Sequence, residues 1–315
     1  MEKSLEQETA NLIKSWVNND GQLMEEYLVT GFENPRVNMQ SIKTRHFFTR
    51  ELFGDRFDDL MEEEIHFSIE VHRALKEEEK RVEATASPEK QKRPRYIRWK
   101  ELERVVPAEK WDTFMKKWSL ALKGRRAEKL KVLELACGSA NDYRFLDAYG
   151  LAPFLDYTGM DLAAVNIRNA KKMFPSVDFR VGNALGIDAR DGEYDYLLVS
   201  DLLEHLSPGG MEAAAGEICR VTSGKLTVHF FSMQDIAEHK INPVRSYFWN
   251  WLSRSRMREL FERWCKHIDI IWIREFLNST YNYPDYYNKN SIRFSWKNKE
   301  ICLRRPVAVP PAAEG

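Results

Sequence analysis

The chain has 315 residues, 48 of them basic and 48 acidic, and 43% hydrophobic content. That length implies one large domain with an extension, or two domains, and the balanced charge gives no general pull towards nucleic acid or an anionic membrane. No early window has the basic, apolar and small-residue zones of a signal peptide, and no apolar run approaches the roughly 18 residues that span a bilayer, so a cytoplasmic protein is expected.

The first 95 residues read as a helical extension. Leu5, Leu12, Ile13 and Trp16 mark one amphipathic face, Pro35 breaks the pattern, and apolar residues return at helical spacing from Ser41 to Glu79. The stretch EATASPEKQKRPR (83–95) has the polar, proline-bearing character of a linker. Residues 1–95 are therefore expected to form a lid, an acceptor-pocket wall or a homodimer contact. Within them Glu63 and His66 have an E-x-x-H spacing, but no second such helix is present and a solvated charged face explains them more simply. Arg45, His46 and Arg50 are candidates to hold an anionic group of a substrate.

Tyr96 to Leu122 is helical in texture, and from Lys131 the chain alternates strands with helices. The runs KVLEL, YTGMD, VDFRVGN, YDYLLVSD and KLTVHFF are separated by amphipathic segments such as AAVNIRNAKKMF and GGMEAAAGEICRVT. Repeated strand–helix units predict a mainly parallel sheet. After the helix-like SRMRELFERW come IDIIWI and SIRFSWKN, with a polar loop and no helix expected between them, which predicts an antiparallel pair. The Pro- and Ala-rich residues 304–315 predict a disordered tail. Cys137, Cys219, Cys265 and Cys302 form no C-x-x-C pair and are expected as reduced thiols.

The first strand runs into the turn KVLELACGSAND (131–142). In an open parallel sheet, ligands gather beyond the carboxyl ends of the strands, near the point where strand order reverses. Small residues at Ala136, Gly138, Ser139 and Ala140 let the main chain approach a ligand, and the helix start that follows offers unpaired N–H donors. A dinucleotide pyrophosphate would want G-x-G-x-x-G, whereas here there is one glycine with Glu134 and Asp142 close by. A ligand with a positive or neutral end fits better.

These residues resemble the class I S-adenosylmethionine (SAM)-dependent methyltransferases, in particular the bacterial small-molecule type. VLELACGSAN is similar to the first motif of that family, with Ala136 and Ala140 in place of two glycines. The resemblance covers about residues 96–303 and implies an α/β fold: a Rossmann-like, seven-stranded, mostly parallel sheet with an antiparallel C-terminal strand. It further implies SAM as cofactor and S-adenosylhomocysteine as product. Glu134, Ala136 and Gly138 would then belong to the cofactor turn, and Asp161 would hold the ribose hydroxyls. Leu162 would flank the adenine, with Asn183 and the Ala184 N–H at its edge and Ser200 or Asp201 at the methionine part.

Methyl transfer from a sulfonium is an in-line displacement, and a hydroxyl or protonated amine acceptor also needs a base. His205, just after the fourth strand, is the candidate, with Asp201 in reserve and His229 near the same cleft. A metal at Glu204–His205 lacks further ligands in the sequence, so none is expected. The aromatic loops 242–253 and 280–290 suggest acceptor contacts from Tyr247, Trp249, Tyr286 and Asn288, with Tyr281, Tyr283 and Tyr287 nearby, and favour a cyclic or sugar-like small molecule methylated on oxygen or nitrogen. Two alternatives stay open: an RNA- or protein-modifying methyltransferase, for which the basic stretch EKQKRPRYIRWK (89–100) is the only pointer, and a SAM-binding protein without turnover.

Overall fold

The computed structural model describes residues 39–85, 106–244, 247–265, 267–285 and 292–296. The amphipathic face at Leu5–Trp16, the expected linker after Thr85 and the tail 304–315 lie outside them, as do Tyr286 and Asn288. Five strands alternate with helices: β1 (Leu130–Leu135), β2 (Leu155–Asp161), β3 (Asp178–Val181), β4 (Tyr194–Ser200) and β5 (Thr222–Phe230). All neighbouring pairs among these five are parallel, in the order β3-β2-β1-β4-β5. The order therefore reverses between β1 and β4, and a crevice opens where the two strand ends diverge.

Beyond β5 the chain makes four two-residue strands, β6 (Met233–Gln234), β7 (Pro243–Val244), β8 (Tyr247–Phe248) and β9 (Leu252–Ser253). β10 (Ile268–Trp272) and β11 (Ile292–Trp296) extend the main sheet, with β11 antiparallel to β5 and β10 antiparallel to β11 at the edge.

The helices are α1 (Met39–Phe53), α2 (Asp58–Thr85), α3 (Ala108–Leu122), α4 (Asn141–Ala148), α5 (Ala164–Met173), α6 (Pro208–Val221), α7 (Arg254–Glu262) and α8 (Ile273–Tyr281). Two expectations are corrected here. The pattern from Ser41 to Glu79 is two helices, broken where Gly54 takes a positive φ of 69°. A helix, α8, does separate β10 from β11: IREFLNSTY places Ile273 and Leu277 four apart, and both are buried. The aromatic texture of the following loop obscured it.

Side chains alternate across the strands and build one core on each face of the sheet. On β4, Tyr196 and Leu198 join the core that contains Val132, Trp118 and Phe145, whereas Tyr194, Leu197 and Val199 join the one that contains Ile218 and Phe261. Met39, Ile42, Phe48 and Phe53 of α1 belong to the first of these cores, and Phe48 packs edge-on against Tyr196 with ring centroids 4.6 Å apart. α1 thus covers the sheet as part of the domain, not as an appendage. No helix among the described residues is long and apolar enough to cross a membrane.

Candidate active site

The turn after β1 is held from beneath by one carboxylate. Asp161, at the end of β2, accepts the Gly138 N–H on Oδ2 at 3.0 Å, and on Oδ1 the Ala163 N–H at 2.8 Å and the Asn166 side-chain amide at 3.1 Å. Three donors on a carboxylate with about four acceptor positions leave room for one further partner. Burial raises the Asp161 pKa, and these bonds oppose the rise.

The turn itself is tightly wound: Ala136, Gly138 and Ala140 all have positive φ, at 57°, 55° and 63°. Such a conformation strains alanine, and strained backbone of this kind concentrates at ligand sites. A side chain added at Gly138 would meet open space, so the turn presents bare backbone outward. Underneath, a Cβ at Gly159 would come within 2.6 Å of the Phe179 ring and 3.0 Å of Cys137 Sγ, which shows how closely β2 packs under the turn. Cys137 is the packing thiol expected of it, its pKa pushed well up by burial and then by the neighbouring Glu134 and Asp161 carboxylates.

Across the crevice, Ser200 closes β4 with its hydroxyl 3.2 Å from Nδ1 of His229 on β5. Asp201 follows in a left-handed conformation (φ 53°), its N–H bonded to the His229 carbonyl at 3.1 Å. Its buried Oδ1 has no hydrogen-bond partner among the described residues, and burial, then the nearby Asp142 charge, raises its pKa to about 7. Asp142 accepts the Ser41 hydroxyl of α1, and Gln40 donates to the Phe230 carbonyl at 3.3 Å. The start of α1 therefore roofs the strand ends. The pairing of Ser41 with Asp142 has no signal in the sequence because the contact joins residues about a hundred positions apart.

His205 sits in a short 3-10 turn, Leu203–His205, walled by the rings of Trp249, Phe231 and Tyr247 at centroid distances of 5.3, 5.6 and 5.9 Å. Its Nδ1 lies 3.1 Å from the Phe248 carbonyl. A carbonyl only accepts, so Nδ1 carries the proton and the lone pair of the neutral ring is on Nε2. Burial lowers the His205 pKa, more than the Phe248 bond raises it, which favours the neutral ring.

The wall comes from an extended segment whose side chains alternate. Asn250 and Leu252 are fully buried, whereas Trp249 and Trp251 between and beside them are 37% and 45% exposed, and Tyr247 and Phe248 are half-buried, Tyr247 packing on the second core. Asn250 ties this strip to the His205 turn. Its N–H donates to the Glu204 carbonyl at 2.9 Å and its side-chain amide to the Leu206 carbonyl at 2.7 Å, while its Oδ1 accepts the Asn242 N–H at 3.1 Å. Glu204, also fully buried, accepts the Phe231 N–H at 2.8 Å, and burial followed by the Asp201 charge raises its pKa to about 8. Sequence reasoning does not single out Asn250 or Glu204 as part of the wall, because an isolated Asn or Glu in an aromatic stretch carries no local signal.

Several sequence candidates lie elsewhere or do other work. Glu134 is buried on β1 and accepts the Tyr157 hydroxyl, with burial pushing its pKa well up, so it supports the strand rather than facing the turn as a free carboxylate. Asn183 acts as a turn former: its Oδ1 accepts the Leu185 N–H at 3.0 Å. Leu162 and Ala184 are half-buried and pack on the second core beside the turn. Arg45 and His46 do not await an anion. Arg45 is fully buried, paired with Glu64 and stacked at 3.8 Å on the Tyr149 ring, and His46 Nε2 meets the same carboxylate at 2.5 Å. Arg50 is bonded to Asp58 at 2.7 Å. Tyr281 and Tyr283 pack near α2, against His66 and His72, so the second aromatic loop does not share the His205 wall in its described part. Glu63 is engaged by Lys117 on an exposed surface.

The exposed backbone at Gly138, the spare acceptor position on Asp161 and the orphaned buried oxygen of Asp201 suit a ligand with hydroxyls at one end and positive charge at the other, which describes SAM. Residues 132–224 match the family model described as a methyltransferase domain. Solved structures of similar shape include the PH0226 protein of Pyrococcus horikoshii OT3 (19% identity, covering 63% of this chain and 99% of that one, TM-score 0.40). Another is a SAM-dependent methyltransferase of Methanosarcina mazei (15%, 57% and 98%, TM-score 0.42). A third is the 1,6-didemethyltoxoflavin N1-methyltransferase of Burkholderia thailandensis, with its substrate and S-adenosylhomocysteine bound (14%, 59% and 78%, TM-score 0.42). No curated protein matches the chain. Residues 132–224 therefore carry a methyltransferase domain.

Proposed function

We propose that the protein is a class I SAM-dependent methyltransferase that methylates an oxygen or nitrogen of a small, ring-bearing acceptor, a sugar or another cyclic metabolite, with His205 as general base. The observation that carries this reading is the neutral His205 ring, pinned by the Phe248 carbonyl and enclosed by Phe231, Tyr247 and Trp249. Bound SAM supplies an electrophilic methyl group on a sulfonium. Ala136, Gly138 and Asp161 would hold its nucleoside part, with Leu162 and Ala184 packed beside it, and Ser200 its amino-acid part. Asp201, with a pKa near neutrality, stands in reserve as a proton acceptor. Trp249 and Tyr247 offer flat apolar faces to a ring, and the wall excludes water from the nucleophile. With SAM bound, His205 would take the acceptor proton on Nε2 as the acceptor's bond to the methyl carbon forms and the methyl–sulfur bond breaks, leaving S-adenosylhomocysteine.

The contacts of Gln40 and Ser41 at the strand ends favour a lid or pocket wall for the N-terminal region over a dimer contact. Incubation of the enzyme with methyl-tritiated SAM and a cell extract, followed by ultrafiltration, tests the acceptor class. Label in a filtrate species that chromatography separates from SAM, lost with His205→Ala, is expected. Label retained on RNA or protein would replace the small-molecule reading, and no transfer to any fraction would favour SAM binding without turnover.

A further inference from the structure

Asn250 is fully buried, and all of its polar groups are used between two segments distant in sequence. Its main-chain N–H reaches Glu204 and its side-chain amide reaches Leu206, the residues on either side of His205, and its own carbonyl accepts the Ser232 hydroxyl at 2.7 Å. Two residues before it on the same extended strip is Phe248, whose carbonyl receives the His205 Nδ1 proton. The two bonds around His205 and the bond to His205 therefore form one frame: if the strip slides or tilts, the Phe248 carbonyl leaves Nδ1.

We infer that Asn250 is a positioning residue that fixes the tautomer of His205, holding the Phe248 carbonyl on Nδ1 so that Nε2 keeps the lone pair. This inference rests on His205 as the base. The chemistry explains why a carboxamide stands there. Leu206 offers a carbonyl and Asn242 an N–H, and only a group with both a donor and an acceptor on one planar end answers both. An aspartate would set a carboxylate oxygen against the Leu206 carbonyl, and a serine is too short to bridge the two. Without the frame, Nδ1 loses its acceptor and the proton of the neutral ring is free to move to Nε2, which removes the lone pair from the acceptor side.

Nitrogen-15 NMR of the imidazole rings in the full chain, with S-adenosylhomocysteine bound and above the His205 pKa, reads the tautomer directly, and His205→Ala assigns the signal. In the wild type the protonated nitrogen should be Nδ1; a wild-type ring protonated on Nε2 overturns the inference without any variant. In Asn250→Asp, or in Asn250→Ser should the charged variant fail to fold, a substantial Nε2–H population should appear. Turnover should fall by up to about 10²-fold, the cost of a small misplacement at a reacting centre, with S-adenosylhomocysteine affinity unchanged. A folded variant that keeps the Nδ1–H signature overturns the inference. His205→Ala with undiminished turnover would instead remove the base reading and leave the tautomer result standing as a structural fact.

Discussion

The two sides of the crevice are built differently. The β1–β2 side is made by short-range geometry: a turn of small residues and one carboxylate that clamps it through Gly138, Ala163 and Asn166. The β4–β5 side is assembled from segments far apart in the chain, with His205 held by Phe248, Leu206 by Asn250 and Phe231 by Glu204. On the proposed function the first side would hold the cofactor and needs only a backbone shape. The second would fit the acceptor, and in this chain an excursion of 23 residues, 231–253, supplies its wall. A shared ligand can be served by a local motif, whereas an individual one needs residues brought together by folding.

Damage on the two sides should therefore separate chemistry from cofactor binding. The largest effect is expected from His205→Ala, which should lower turnover by about 10²–10⁴-fold, the usual worth of a general base, with SAM affinity in calorimetry nearly unchanged. A variant that lost SAM affinity instead would merge the two sides. Asp161→Ala should act the other way, weakening SAM by about 1.5–3 kcal/mol through the loss of a charged acceptor. Equal affinity in that variant would take Asp161 out of the cofactor site.

A smaller effect concerns pH. The Glu204 carboxyl, raised to about 8 by burial and the Asp201 charge, binds a proton in the folded state that the unfolded chain releases at about pH 4.5. Stability from this group is therefore greatest at low pH and declines as pH rises towards 8, by at most about 1.4 kcal/mol per unit. Glu204→Gln should flatten the fall in melting temperature between pH 5 and 8. An unchanged slope would mean that the pair with Asp201 is ionised in the native protein. The smallest effect is expected on the cofactor side: Ala140→Gly relieves a positive φ and should change stability by about 0.5–1 kcal/mol in the stabilising direction, measurable by urea unfolding. A destabilised variant would show that the Ala140 methyl, which is fully buried, contributes more than the strain costs.

Much of the scaffold is legible in the amino-acid pattern. Alternating runs such as YDYLLVS announce parallel strands, and their order of appearance with helices between them implies the crevice. The turn and Asp161 can be paired because their spacing is that of one β–α–β unit. Asn183 is less legible: the same amide suits an adenine edge and an Asx turn, and its bond to Leu185 appears only in the folded chain. Arg45 and His46 look like anion ligands because a sequence shows charge but not the Glu64 carboxylate waiting 18 or more residues away. The helix Ile273–Tyr281 is hidden because it is short and runs directly from a strand into an aromatic, polar loop whose texture masks it.

The sequence by itself determined the class of fold and singled out the turn after β1 and His205 as candidates, because each depends on residues near one another along the chain. Only the tertiary structure decided how His205 is presented. Which nitrogen bears its proton follows from a carbonyl 43 positions away, and which rings enclose it follows from a strip anchored by the buried Asn250. Local propensity and periodicity act over a few residues, whereas a hydrogen bond or a packed ring is specified by whatever the fold carries to within a few ångströms, and that information is spread over the whole chain.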